Sequence, residues 1–177
     1  MSPAGAHAEL VPAARLFGRL LVRELDAPTI AELHGAGVAA ALREVGVEPP
    51  RATIDELAAA YAARFLHPAR ARPPVQSLWV TGHYDGDAAV AVRGIAKAAG
   101  RELAEGARGA APDHLGCILL LWSELVHERP ELAERLRRDH LTWAPAALAA
   151  VVGTADFYGL VASAAARLVQ RLCEPAS

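Results

Sequence analysis

Aromatic side chains make up only 5% of this 177-residue chain. Alanine and the aliphatics must therefore do most of the packing. Small side chains let helices approach closely, although each buries less area than a Leu or Phe. Cysteine is almost missing: Cys117 and Cys173 are the two, and no CxxC spacing exists. That argues against a disulfide framework and against a cysteine-based zinc site. Free cysteines fit a reducing cytosol. There is no basic stripe. Acids and bases are mixed along the chain and the net charge is −2, so a nucleic acid is not expected as partner. The Arg137-Arg138 pair in ERLRRDH is bracketed by acids and reads as the solvated end of a helix. The longest apolar run, about 115 to 122, is far too short to cross a bilayer. The start, MSPAGAHAELVPAARLF, lacks a basic region ahead of a long apolar stretch, so no secretory signal is expected. Together these absences predict a soluble, cytoplasmic protein without stable membrane insertion.

What the chain does have is a 53% hydrophobic composition laid out with helical period. Leu10, Ala13, Ala14, Phe17, Leu20 and Leu21 form one stripe. Thr29 and Glu32 have capping-box spacing and predict a second helix running through Leu33, Val38 and Leu42, stopped by Gly46 and Pro49-Pro50. Thr53 and Glu56 repeat the box ahead of Leu57, Tyr61 and Phe65. Pro68, Pro73 and Pro74 forbid a continuous helix through 67–87, which reads as a long ordered loop. A helix over roughly 88–99 follows, ending at Gly100, and 101–111 is ambiguous. The next helix is expected from near Asp113. Leu115, Ile118, Leu119, Trp122 and Leu125 form its stripe, and Leu120 and Leu121 lie off it, so it is central and covered on most sides. RPELAERLRR reads as a short amphipathic connector, and one last helix is expected from about Pro145 to Leu172. No stretch alternates convincingly as a strand. The fold class is all-α: a single-domain helical bundle over 1–177, with an N-terminal helical part at about 8–66 and a C-terminal one at about 88–173.

The chemistry-bearing residues read modestly. Asp113 and His114 are adjacent, so on a helix they do not face each other. Asp113 is well placed to cap free amides at a helix start. The seven histidines are scattered, with no HxxxH or HExxH, so no metal site is expected. Ser77 in VQSLW is no nucleophile elbow. Cys117 lies in an apolar helix that disfavours its thiolate. TGHYDGD lacks the spacing and the Lys of a phosphate loop. Trp122 reads as core, whereas Trp79 and Trp143 sit where exposure is plausible. Neither a catalytic residue nor a cofactor is expected.

The order of features carries more. ARLFGRLLVREL is followed by AAAYAARFLHP, RPPVQSLW, APDHLGCILLLWSEL, DHLTWAPAAL and ADFYGLVA. This pattern, over nearly the whole chain, resembles the TorD/DmsD/NarJ family of molybdoenzyme maturation chaperones. The resemblance implies an all-α fold. It also implies binding of a molybdopterin-containing oxidoreductase precursor, often through its twin-arginine leader peptide, until cofactor is loaded. Pro112, Asp113 and His114 match the family's Pro-Asp-His motif. His140, Trp143 and Pro145 match the segment before its last helix, and Ser77 and Trp79 the Ser-x-aromatic of its long loop. The resemblance places the peptide-binding surface in these regions. With Asp113, Glu124 is a candidate partner for leader guanidinium groups. The chain departs from the family pattern at Ala110 and Ile118, where acids are common, and at Leu121, where Phe is usual. A monomer or a homodimer is compatible with the pattern. Two other readings stay open from the residues alone: a metalloprotein or enzyme built on Asp113, His114 and His140, and a helical structural or oligomerisation subunit.

Overall fold

The computed structural model describes residues 7–66, 72–102, 109–151 and 156–174. A 3-10 turn at Ala8–Leu10 leads into α1 (Val11–Val22), whose Pro12 sits in the first turn, where a missing N–H costs nothing. Leu10, Ala14, Phe17, Leu20 and Leu21 are buried as the stripe predicts, whereas Ala13 is only partly covered.

The single helix expected from Thr29 is two helices, α2 (Ala27–His34) and α3 (Ala36–Glu44), parted at Gly35. The Thr29 capping box does not form. Glu32 pairs with Arg19, which donates to it twice at 3.0 and 2.7 Å. Asp26 caps instead, accepting from the Thr29 N–H at 2.9 Å. The second box does form. Thr53 and Glu56 cap each other's backbone at the head of α4 (Ile54–Tyr61), which runs on through a π-helical turn at Ala62–Leu66. That turn carries Phe65 into an aromatic cluster with Tyr61 and Tyr158.

The segment expected as a loop over 67–87 contains a helix. Residues 67–71 lie outside the described residues, but α5 (Gln76–Thr81) follows the prolines directly and holds both Ser77 and Trp79. Then come α6 (Asp87–Ala98), α7 (Leu115–Glu128), α8 (Pro130–His140), α9 (Ala144–Ala149) and α10 (Phe157–Cys173). The long last helix expected from Pro145 is therefore divided. Its second part starts afresh where Asp156 accepts from the Gly159 N–H at 2.9 Å, and 152–155 lie outside the described residues. Residues 103–108 of the ambiguous stretch do too.

The predicted central helix is central: every residue of α7 from Leu115 to Val126 except Glu124 is buried. Its closest neighbour is α1. The two backbones meet at Gly18 and Gly116, where a Cβ on Gly116 would stand 2.6 Å from the Gly18 carbonyl oxygen. α8 packs on α7, and α10 closes over α1 and α9. Tyr61 ties α4 to the end of α1 by donating to the Leu21 carbonyl at 3.0 Å. Among the described residues there is no strand. The one extended contact is an isolated antiparallel bridge between Val75 and His114.

Candidate functional site

The first turn of α7 must find acceptors for its free N–H groups. His114, not Asp113, is the capping residue: its backbone is extended and its Nδ1 accepts from the Gly116 N–H at 3.0 Å. The neutral ring therefore carries its proton on Nε2. Asp113, one residue upstream, is freed to cap a different helix. Its Oδ2 accepts from the Ser77 N–H at 2.7 Å, in the first turn of α5. The capping residue of α5 is Val75, which has no side-chain oxygen to offer. Capping by Asp113 is thus as expected in kind, but it acts 36 positions away in sequence.

Backbone bonds draw the same two segments together. Leu115 donates to the Pro74 carbonyl at 2.8 Å and Gln76 to the Asp113 carbonyl at 3.0 Å, on either side of the Val75–His114 bridge. The Gln76 side chain then reaches a third segment. Its Oε1 lies 2.8 Å from His140 Nδ1, and its Nε2 donates to the Asp139 carbonyl at 3.1 Å. Because an amide oxygen only accepts, the His140 proton belongs on Nδ1. Trp143 donates from Nε1 to the His140 carbonyl at 2.8 Å. On α5, Trp79 donates to the Pro73 carbonyl at 2.8 Å, and the Arg72 guanidinium stands over its ring at 5.3 Å.

The electrostatics follow from burial. Desolvation pushes His114 down to about 4, against the opposing pull of Asp113. Protonation would also place an N–H against the Gly116 donor. Burial lowers His140 too; Asp139 and Asp113 oppose the shift and Arg135 adds to it. Both rings are neutral at pH 7. Burial pushes the Cys117 thiol up to about 12, so its thiolate is disfavoured. Ser77 Oγ has no base within hydrogen-bond reach, and Asp113 Oδ1 is likewise buried without a partner. A hydroxyl with no neighbouring base is not an activated nucleophile. Among the described residues, no group of three or more His, Cys, Asp or Glu could hold a metal. No helix among them is long and apolar enough to cross a membrane.

Most of the predicted site residues therefore meet. Ser77 and Asp113 are bonded to each other, His114 lies beside them, and His140 and Trp143 join through Gln76. Pro112 is buried at the turn into this cluster, and Trp79 and Trp143 are half-buried at its edge. Glu124 does not join. It is half-buried on α7, ten residues past His114, or about 15 Å along the axis. Gln76 was missed. Its only sequence signal is its place beside Ser77 in VQSLW. Also missed was a groove of about 620 Å³ between α1 and α3, floored by Ala13, Leu16, Phe17, Val38, Ala41 and Val45 and rimmed by Arg15, Arg19, Glu32 and Glu44. Its signal is the run of Ala and Gly on α3, which is too small to close the gap. At the two positions where the family pattern has acids this chain packs instead: Ile118 is core and Ala110 rests on Val22 and Cys117, while Leu121, where Phe is usual, is core as well.

The fold has a solved counterpart. A crystal structure described as a redox enzyme maturation protein from Archaeoglobus fulgidus superposes with a TM-score of 0.66 at 20% identity, covering 91% of this chain and 94% of that one. At that identity the likeness concerns the fold. No curated protein sequence matches. The profile of the nitrate reductase delta subunit family matches residues 30–151, well over half of the chain and all three segments of the cluster. The chain belongs to the nitrate reductase delta subunit family, the chaperones of NarJ/TorD type.

Proposed function

We propose that this protein is a cytoplasmic maturation chaperone. It holds a molybdoenzyme precursor, by its leader or N-terminal segment, while cofactor is inserted and before export. The observation that carries the reading is the convergence of three distant segments, 72–81, 112–116 and 139–143, on one cluster through Asp113 and Gln76. Half-buried Trp79 and Trp143 edge that cluster. Indole faces give a peptide large contact area at low entropic cost. A carboxylate there can receive guanidinium groups in a partly desolvated site. The groove beside α1 supports the same reading, because an apolar floor with a charged rim suits an amphipathic segment of the precursor. Binding and shielding are the tasks, and neither needs a catalytic group. Cytoplasmic action fits two free cysteines.

Intrinsic fluorescence of Trp79 and Trp143 reports occupancy directly. The test is titration with leader and N-terminal peptides of the molybdopterin oxidoreductase precursors of the source organism. Saturable binding, weakened roughly tenfold by Trp143→Ala, is expected. The absence of binding to any segment of such a precursor refutes the reading.

A further inference from the structure

The residues assigned to client contact pose a geometric problem. Asp113 is 0% exposed, Ser77 1% and His114 6%. No client reaches them in this arrangement. Residues 72–86, which include Ser77 and form α5 and the turn after it, lie directly against Asp113 and His114. That segment is held by polar bonds: to Asp113, to the backbone at 113–115, and through Gln76 to the end of α8. Its buried residues are Pro74, Val75 and Ser77; Val75 lies outside the main apolar cluster, and α5 packs chiefly on α6 rather than on the α1–α7 core. Two buried groups, Asp113 Oδ1 and Ser77 Oγ, are left without a partner in this closed state. Solvent would satisfy both on opening. The far end of the segment is built to turn: Gly82 has φ 83°, and Asp85 has φ 55°, a strained value for a residue with a side chain.

We propose that residues 72–86 form a strap that unlatches from Asp113 and His140 while the helical core stays folded, and that this opening admits a client segment to Asp113 and His114. The second half of that statement rests on the client reading given above. The first half does not.

The two halves are tested separately. Hydrogen exchange on the full chain at pH 7, without client, reads the opening. Amides of α5 exchange through an opening far more frequent than that of mid-α7. Gln76→Ala, which removes both side-chain bonds to α8, speeds them by roughly tenfold and leaves mid-α7 unchanged. Equal protection of α5 and mid-α7, or an equal effect of Gln76→Ala on both, overturns the strap.

A cross-link reads the gating. Val75 and His114 are a non-hydrogen-bonded antiparallel pair, with Cα atoms expected about 4.5 Å apart, within the range a disulfide spans. In a Cys117→Ala background, Val75→Cys with His114→Cys closes the strap on oxidation. Because His114→Cys itself removes a client contact, the single variant His114→Cys is the reference: precursor peptide should bind it and the reduced double variant alike, through Asp113, and should not bind the oxidised form. Equal binding by both forms overturns the gating while leaving the exchange result intact. Failure of every precursor peptide to bind wild type refutes the client reading and leaves the strap standing on its exchange.

Discussion

Replacing Gly116 by Ala puts the α1–α7 crossing to a quantitative test. In an exposed helix this change is favourable, because Ala lacks the entropic cost of Gly, by roughly 0.5–1 kcal/mol. Here the new Cβ would stand 2.6 Å from the Gly18 carbonyl oxygen, 2.9 Å from Val22 Cβ and 3.1 Å from the Val22 nitrogen. Ordinary contact begins near 3.4 Å, so α1 must retreat by about 0.8 Å. It cannot do so freely, since Leu20 and Leu21 on the same helix are fully buried. Two of the three obstructing atoms are backbone, which no rotamer change moves. Overpacking of this kind costs roughly 2–3 kcal/mol. The net expectation is a loss of about 1–2 kcal/mol, which is a fall in Tm of roughly 2–8 °C for a chain of this length.

Gly94→Ala is the control. Gly94 lies within α6 with nothing inside 4 Å of its would-be Cβ. It should gain about 0.5–1 kcal/mol. Gly18→Ala falls between, because its obstacles are Leu120 Cγ at 2.8 Å, which a side-chain shift can move, and the Gly116 carbonyl oxygen at 3.0 Å, which it cannot. Thermal melts followed by circular dichroism, with urea titration for the free energy, check the series. If Gly116→Ala raises Tm as Gly94→Ala does, the close crossing is wrong. The crossing also bears on the site. The Gly116 N–H is the donor to His114, so a displaced α7 start should loosen the latch as well.

Acid stability should depend on His114. Its folded value of about 4 lies below the ordinary 6.5, so the unfolded chain binds more protons between those limits. Its contribution is complete above pH 6.5 and is lost as pH falls towards 4, on the order of 3 kcal/mol in all. His114→Asn keeps an acceptor for Gly116 and removes the titration. Its urea midpoint should fall less than wild type between pH 6.5 and 4; parallel curves would contradict this. Thiol labelling should distinguish the cysteines. Half-buried Cys173 reacts in the native protein, whereas buried Cys117, pushed up to about 12, reacts only in denaturant. Native modification of both refutes that assignment. Asp113→Ala strands the buried Ser77 N–H and should cost about 1–3 kcal/mol, whereas Asp113→Asn keeps an acceptor for it. Under the proposed function, Asp113→Asn should retain most of the stability and bind an arginine-bearing leader roughly tenfold more weakly. Unchanged affinity would separate Asp113 from client binding.

What could be read from the sequence depended on how far apart the partners are. The Thr53–Glu56 box forms as its spacing predicts because both halves lie within one turn. The Thr29–Glu32 box has the same spacing and fails, because Asp26 caps the helix three residues earlier and leaves Thr29 inside it, while Glu32 pairs with Arg19 thirteen residues upstream. The apolar stripes of α1 and α7 are legible because burial there is continuous. α5 is not legible, because its start is stabilised by Asp113 from another part of the chain and the preceding prolines read as a break. The candidate cluster was legible only as an order of motifs resembling a family. Nothing local in VQSLW, APDH or RDHLTW shows that Gln76 and Asp113 hold the three together. The Gly18–Gly116 contact was invisible for the same reason: each glycine looks like a weak point in its own helix until the other is set against it.

That long-range character explains a tension in the site itself. A fully buried carboxylate is costly unless its bonds offset the loss of water. Asp113 has one strong bond, to the Ser77 N–H, and a second oxygen with none. The neighbouring positions where the family pattern carries acids are apolar here, with Ile118 in the core and Ala110 against Val22 and Cys117. Repulsion from other carboxylates is thereby removed, and Asp113 can be buried closed. The same packing concentrates any attraction for a cationic client on one carboxylate that is hidden until residues 72–86 move. A chain with several acids could draw a leader to its surface first. Under the proposed strap this chain must open first, so its affinity for a client should be reduced by the fraction of time the strap is closed.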